Sequence, residues 1–403
     1  MPIKKYRLTL STLSLLISAG AQAGIYSPAP YELIDGFLLV PELNSSVVYN
    51  DNIYTSEDEK VSSYIYKISP SVKFGISNGI DEYGGTYTLS SGSYSTNNDG
   101  DDDYIDHNLS LLAHKEFTDR HRLDIKLGMA NTHEDRGTNS TELSEYTYNE
   151  PLKYNYYTGS GNYEFGAVSA SMNIGAGIAF TNKVYQNFTD TTRYYDLSIT
   201  TLSFDGAYKV GTVTDLTFAL SRADINYLHN KSSASNQDNI GHNFSIGLRW
   251  EGLAKTVGNI NFGYQYKNYT DSAYENYDGT TINISIVWEP VTRSSFDLSL
   301  QRSAEDSITF GDYSVSLDGS LNWKHSWSDA ITSSVGFSYS DDDYFGSSID
   351  REDITHIGSI GLSYDFARWV HFTTAYEYTD KSSSLSGYGY TQNSITLGIS
   401  LSL

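Results

Sequence analysis

Cysteine is absent from the 403-residue chain, which removes disulfide scaffolds, thiolate metal sites and cysteine nucleophiles together. Proline and methionine are scarce, at 7 and 3 residues, and charged residues make up only 19%. So little charge beside 35 Tyr, 16 Phe and 5 Trp argues against a disordered chain, and 33 Gly argues against a helical enzyme. Positive charge is also short. With 26 Lys and Arg against 49 Asp and Glu the formal charge is −23, so no nucleic-acid partner is expected. Beyond the first residues no apolar run approaches the ~20 residues that a membrane-spanning helix needs. A mean hydropathy of −0.40 agrees in excluding a helical bundle, and leaves a membrane barrel open.

What is present begins with a leader pattern. Lys4, Lys5 and Arg7 precede an apolar stretch from Leu8 to Ile17, and Ala21-Gln22-Ala23 forms a small-residue cleavage site. The apolar stretch is too short to span a bilayer, so residues 1–23 read as a cleaved signal peptide of an exported protein. Residues 24–36 then form a short N-terminal segment, and 37–403 one further domain.

That domain is a single repeated pattern. In Gly258 to Lys267, Ile260, Phe262, Tyr264 and Tyr266 share one face while Asn259, Asn261, Gln265 and Lys267 take the other. Ile282, Ile284, Ile286 and Trp288 repeat this, as do Val315, Leu317, Leu321 and Trp323, and Ile395 to Leu403. Period two over about ten residues is a β-strand signal. A polar face of Ser, Thr, Asn and Gly on such long strands suits an outer-membrane barrel, apolar outside and polar inside. The pattern predicts an all-β, antiparallel, up-and-down transmembrane β-barrel of about 18 strands, from 37–50 to 391–403, with 16 still open. Short links such as Asn78-Gly79 and Ser328-Asp329 alternate with long polar ones such as Glu134 to Glu150. Short turns are periplasmic in bacterial barrels, which puts both termini in the periplasm of a Gram-negative cell.

Trp250, Trp288, Trp323, Trp327 and Trp369 all fall in or beside short turns, as an aromatic girdle at one membrane interface would. A tyrosine rim is expected at the opposite end. Strand parity assigns a pore lining. The inward cations are Lys67, Lys73, Arg122, Lys126, Lys183, Arg249, Lys267 and Lys324. The inward acids are Glu42, Glu82, Asp106, Glu116, Asp124, Glu164, Asp215, Glu251, Asp297, Asp318, Asp353, Asp365 and Glu377. Parity falters near Thr200, leaving Asp196 and Asp205 unassigned. Mixed charge among many hydroxyls and amides fits neutral or weakly charged hydrophilic cargo, although the same residues could simply solvate the channel.

Acid also gathers in expected loops, at Asp99 with Asp101 to Asp103 and at Asp341 to Asp343, in no EF-hand register. A solvated, repulsive loop is the ordinary reading, and cation bridging to lipopolysaccharide the other. Arg222 and Arg302 have lipid-facing parity where lipid phosphates would lie. His114 and His371 point inward with no identifiable activated nucleophile, so neither enzymatic activity nor a cofactor or metal is expected.

The opening hairpin is more particular. Val40-Pro41-Glu42-Leu43, then Tyr49-Asn50-Asp51-Asn52-Ile53-Tyr54, then Ile68-Ser69-Pro70-Ser71-Val72 resembles the start of outer-membrane β-barrel porins associated with exopolysaccharide or capsule biosynthesis and export. The resemblance implies a conduit for an extracellular polysaccharide. It also implies a periplasmic export partner, beside the outer-membrane lipid, lipopolysaccharide and barrel-assembly machinery that any such barrel meets. The terminal Leu403 departs from the aromatic ending of many outer-membrane barrels. Two other readings compete: a diffusive porin taking up sugars or small solutes, and a structural or adhesive surface barrel.

Overall fold

The computed structural model describes residues 25–96, 101–142, 148–230, 237–307, 310–346 and 350–402. The expected leader and Asp99 lie outside them. Nineteen strands form: β1 (Tyr31–Ile34), β2 (Phe37–Asn50), β3 (Ser63–Ser77), β4 (Glu82–Tyr94), β5 (Tyr104–Thr118), β6 (His121–Glu134), β7 (Leu152–Phe165), β8 (Met172–Tyr185), β9 (Leu197–Lys209) and β10 (Thr214–Tyr227). There follow β11 (Asn239–Leu253), β12 (Thr256–Tyr269), β13 (Tyr277–Val291), β14 (Ser294–Asp306), β15 (Tyr313–Ser326), β16 (Ile331–Phe345), β17 (Arg351–Ala367), β18 (Val370–Ser383) and β19 (Tyr390–Ser402). From β2 to β19 each strand pairs antiparallel with its successor, and β19 closes on β2 from Ser394↔Asn50 to Ser402↔Glu42. The result is a closed 18-stranded barrel with β1 as a small extra strand against Phe37 to Leu39. The segment 24–36 therefore carries β structure of its own.

The two faces of the wall follow the alternation. Ile260, Phe262, Leu298, Leu321, Ile360 and Leu397 belong to the outer series, and the large apolar side chains of that face are widely exposed. On the inner face Asn243, Gln301, Asp318 and Glu377 are exposed as well. Exposure on both faces of one sheet means that the interior is an unpacked lumen. Most of the buried apolar side chains (Tyr54, Leu152, Tyr185, Tyr269, Tyr313) gather at the long-loop end.

At the other end the turns are tight. Asn78 accepts the Asp81 N–H through Oδ1 at 2.9 Å, and Gly79 supplies the left-handed φ of +94° that this β3–β4 turn requires. The five tryptophans all lie at this short-turn end. Trp250, Trp323 and Trp327 donate their indole N–H to Thr256, Ser294 and Ser333 at 2.7, 2.8 and 2.9 Å.

Three details differ from expectation. Asp341 to Asp343 lie within β16, not in a loop, because its ladder with β17 runs on to Tyr344↔Arg351. Asp102 is buried and paired instead of solvated. The parity of β9 does not switch at Thr200: Leu197 and Ile199 face inward, Leu197 opposite Lys183, and Asp205 lies on the same inner face.

Ring-over-glycine packing stiffens the outer face. A Cβ on Gly206 would sit 2.3 Å from the Phe218 ring, whereas one on Gly161 would meet nothing within 4 Å. Gly206→Val is expected to cost about 1–3 kcal/mol of overpacking, read by urea unfolding in micelles. Gly161→Val should leave the midpoint nearly unchanged.

Candidate functional site

The registers decide which predicted residues share the lumen. Lys67 and Lys73 on β3, Glu116 on β5, Arg122, Asp124 and Lys126 on β6, and Arg249 and Glu251 on β11 fall on the inner face. So do Lys267 on β12, Asp297 on β14, Asp318 and Lys324 on β15, and Glu377 on β18. Cross-strand neighbours bring several into ion pairs, Lys73–Glu42 at 2.8 Å, Arg122–Glu164 at 2.7 Å and Arg249–Asp215 at 2.7 Å, and Lys183 on β8 reaches past β7 to Glu134 on β6 at 2.8 Å. Lys67, Lys126 and Lys324 have no ion pair among the described residues.

Inner charges that sequence reasoning missed include Asp205, Glu134, Lys209, Asp342, Arg351 and Lys381. Asp205 was recoverable from its alternation with Ser203 and Thr201. The others lay where a strand outran its apolar pattern. With them, carboxylates on the inner face outnumber cations. Of the free lysines, Lys67 and Lys126 stand on β3 and β6, while Lys324 shares the opposite wall with Asp297, Asp318 and Asp342 on β14 to β16.

At the loop end the chain after β6 turns inward. Arg136, its side chain wholly buried, donates to Asp102 at 2.6 and 2.7 Å, and Tyr54 donates to the same carboxylate at 2.7 Å. Glu142 then accepts from Arg351 at 2.8 Å and from Lys381 at 2.6 Å. Lys381 and Arg351 also share Asp353, and the Arg351 guanidinium lies 3.8 Å from the Tyr388 ring centroid. β6 and β18 are six strands apart around the wall, so a loop from one that reaches the other crosses the mouth. Charge can be held there because each buried ion has an opposite partner and aromatic cover. This crossing narrows the lumen at a segment legible only as a long polar link.

Below it, β13 to β17 line a recess of about 400 Å³ with Asn283, Ser285, Ser299, Gln301, Asp318, Ser320, Ser338, Ser340 and Thr355. Ser299 and Ser320 share a hydrogen bond of 2.7 Å, and Ser340 donates to Asp318 at 2.7 Å. Apart from Asp318 and the apolar Ile357, the inward groups are hydroxyls and amides, which donate and accept without demanding charge.

At the short-turn mouth Tyr26 stacks near His371, with ring centroids 5.3 Å apart, and donates to Glu42 at 3.4 Å. Burial and the Glu42 carboxylate push its phenol up to about 12, so it stays a neutral donor. His114 and His371 bond Asp124 and Asp365, and neither meets a hydroxyl nucleophile among the described residues.

Residues 33–403 match the model of a family described as Putative beta-barrel porin 2. Among solved structures the chain is similar to Pseudomonas aeruginosa OccK2 (OpdF), at 12% identity, 92% of this chain, 100% of that one and a TM-score of 0.51. It is similar too to a BenF-like porin from Pseudomonas fluorescens Pf-5, at 11% identity, 91% and 99% coverage and a TM-score of 0.51. At such identities the likeness is one of fold. No curated protein matches.

An acidic lumen attracts cations. In planar bilayers under a salt gradient the wild type should be cation-selective, Lys126→Glu more so and Asp318→Asn less. Heat-modifiable gel mobility should survive both changes. Arg249 is the poorer choice, because a glutamate there would face Asp215.

Proposed function

This chain belongs to the family described as Putative beta-barrel porin 2, and from that premise we propose that it is a passive outer-membrane porin for small, neutral hydrophilic solutes of sugar or polyol type. The observation that carries this reading is the continuous hydroxyl- and amide-rich inner face, solvent-exposed at Gln301 and Asn243, around an unpacked lumen. Uptake by diffusion stood second to polysaccharide export in the sequence. It is preferred now because the Glu142 contact with Arg351 and Lys381 carries a loop across part of the mouth, and because the similar folds are those of porins.

In this reading the outer apolar face meets lipid, and the tryptophans sit at the periplasmic headgroup level. Arg222 reaches towards lipopolysaccharide, and the short turns and both termini face the periplasm. Insertion requires the barrel-assembly machinery. Solutes exchange water for serine, asparagine and glutamine partners at little net cost, and the recess below the crossing is large enough for a hexose.

Proteoliposome swelling tests it. Glucose and a disaccharide should enter several times faster than into protein-free vesicles, and a dextran should not. One solved OccK2 (OpdF) structure holds glucuronate. Here the acidic lumen should admit glucose faster than glucuronate. Unchanged sugar uptake together with loss of surface polysaccharide in a deletion strain would return the protein to export.

A further inference from the structure

The β13–β14 ladder runs from Val291↔Ser294 to Ile282↔Arg302 and stops, yet neither strand ends there. β13 continues to Tyr277 in register with β12, and β14 continues to Asp306 in register with β15. The strands diverge, leaving one edge of residues 277–281 without a strand partner among the described residues at the loop end of the wall. A bare edge in a barrel wall is unusual, because closure exists to pair every edge.

The missing partner lies inside the lumen. Ala304 of β14 exchanges two hydrogen bonds, both 3.0 Å, with the side chain of Gln265, an inner-face residue of β12 on the far side of β13. Asp306 accepts from Lys267, from Tyr269 at 2.8 Å and from Asn239 at 3.0 Å, all on β11 or β12. Tyr313 and Val315 have the parity of lipid-facing Leu317 and Leu321, but are only 5% and 7% exposed, packed against Tyr269 and Tyr277. The outer face of this strand pair has thus been laid on the inner face of its neighbours. Arg302 fills the seam, donating to the Thr280 carbonyl in place of a strand N–H, and to the Tyr277 hydroxyl at 3.4 Å.

We propose that the loop ends of β14 and β15 are a flap that narrows the channel in this structure, and that the bare β13 edge is the seat they take when it opens. The proposal rests on the porin reading above. Continuing the existing register would set Thr281 opposite Ser303 and Thr280 opposite Ala304. It would return Val315 and Tyr313 to the lipid-facing series and put Ser303 and Glu305 towards water. The apolar alternation of β15 is satisfied in that arrangement, whereas in the closed one it is satisfied only by the aromatic cluster inside. The two positions trade one set of contacts for another: the closed one keeps the Gln265, Lys267 and Tyr269 bonds and leaves the β13 edge bare, and the open one pairs that edge and gives those bonds up.

The absence of native cysteine makes the test direct. Opposed residues of an antiparallel pair have Cα atoms ~4.5–5.5 Å apart, within disulfide reach. Thr280→Cys/Ala304→Cys should crosslink under oxidation in membranes. Its single-channel conductance should then rise at least twofold over the reduced state, and fall back on reduction. Ile284→Cys/Leu300→Cys, already opposed, should crosslink without altering conductance. Lys267→Gln, which loosens the hold on Asp306, should raise the fraction of time spent at the higher conductance. Failure of the seam pair to crosslink while the control pair does, or crosslinking with no change in conductance, overturns the flap. Absence of any conductance from the wild type and from the oxidised seam pair alike would instead overturn the porin reading.

Discussion

Backbone hydrogen bonding in hydrocarbon is the constraint on which the rest depends. No lipid can replace a strand neighbour, so a sheet in the membrane must close on itself, and β19 pairing with β2 is that closure. Closure at 18 strands fixes a circumference too wide for side chains to fill. A wet interior follows without further instruction. The outer face must then be apolar and the inner face polar, and the period-two alternation is the written form of that demand.

Within the lumen, electrostatics is arranged by adjacency. Arg122 with Glu164, Arg249 with Asp215 and Lys73 with Glu42 neutralise one another across neighbouring strands, which limits the field that the remaining groups impose. What remains is sparse, with Lys67 and Lys126 on one wall, Lys324 among several carboxylates on the other and hydroxyls between. At the loop end the rules change. Arg136 and Arg351 are buried, and each is held by carboxylates and aromatic rings from segments far apart in sequence. Such clusters are costly to dismantle from one side only, which suits a mouth that keeps a defined shape.

The strand positions, the barrel and the inner-face residues from Lys67 to Glu377 were legible because alternation converts directly into facing. The misreadings have physical causes too. Near Thr200 the apparent parity switch reflects Ile199 and Leu197, apolar residues that keep the inner-face parity of Asp205 in an unbroken ladder. Asp341 to Asp343 looked like a loop because charge in a strand is unexpected in lipid, but β16 has by then passed the apolar belt. Polysaccharide export came from a short resemblance in the opening hairpin, and that hairpin says nothing of how wide the mouth is.

The amino-acid sequence by itself determined which face of the wall most strand residues take, because within a regular strand facing alternates from one residue to the next. It also determined the charge balance and the level of the tryptophans. Tertiary structure alone decided that Glu142 meets Arg351 and Lys381, that Asp102 is buried beneath Arg136, and that β14 leaves β13 to lie inside the barrel. Those contacts join residues separated by tens to hundreds of positions, and no local periodicity records which loops converge once the wall has closed.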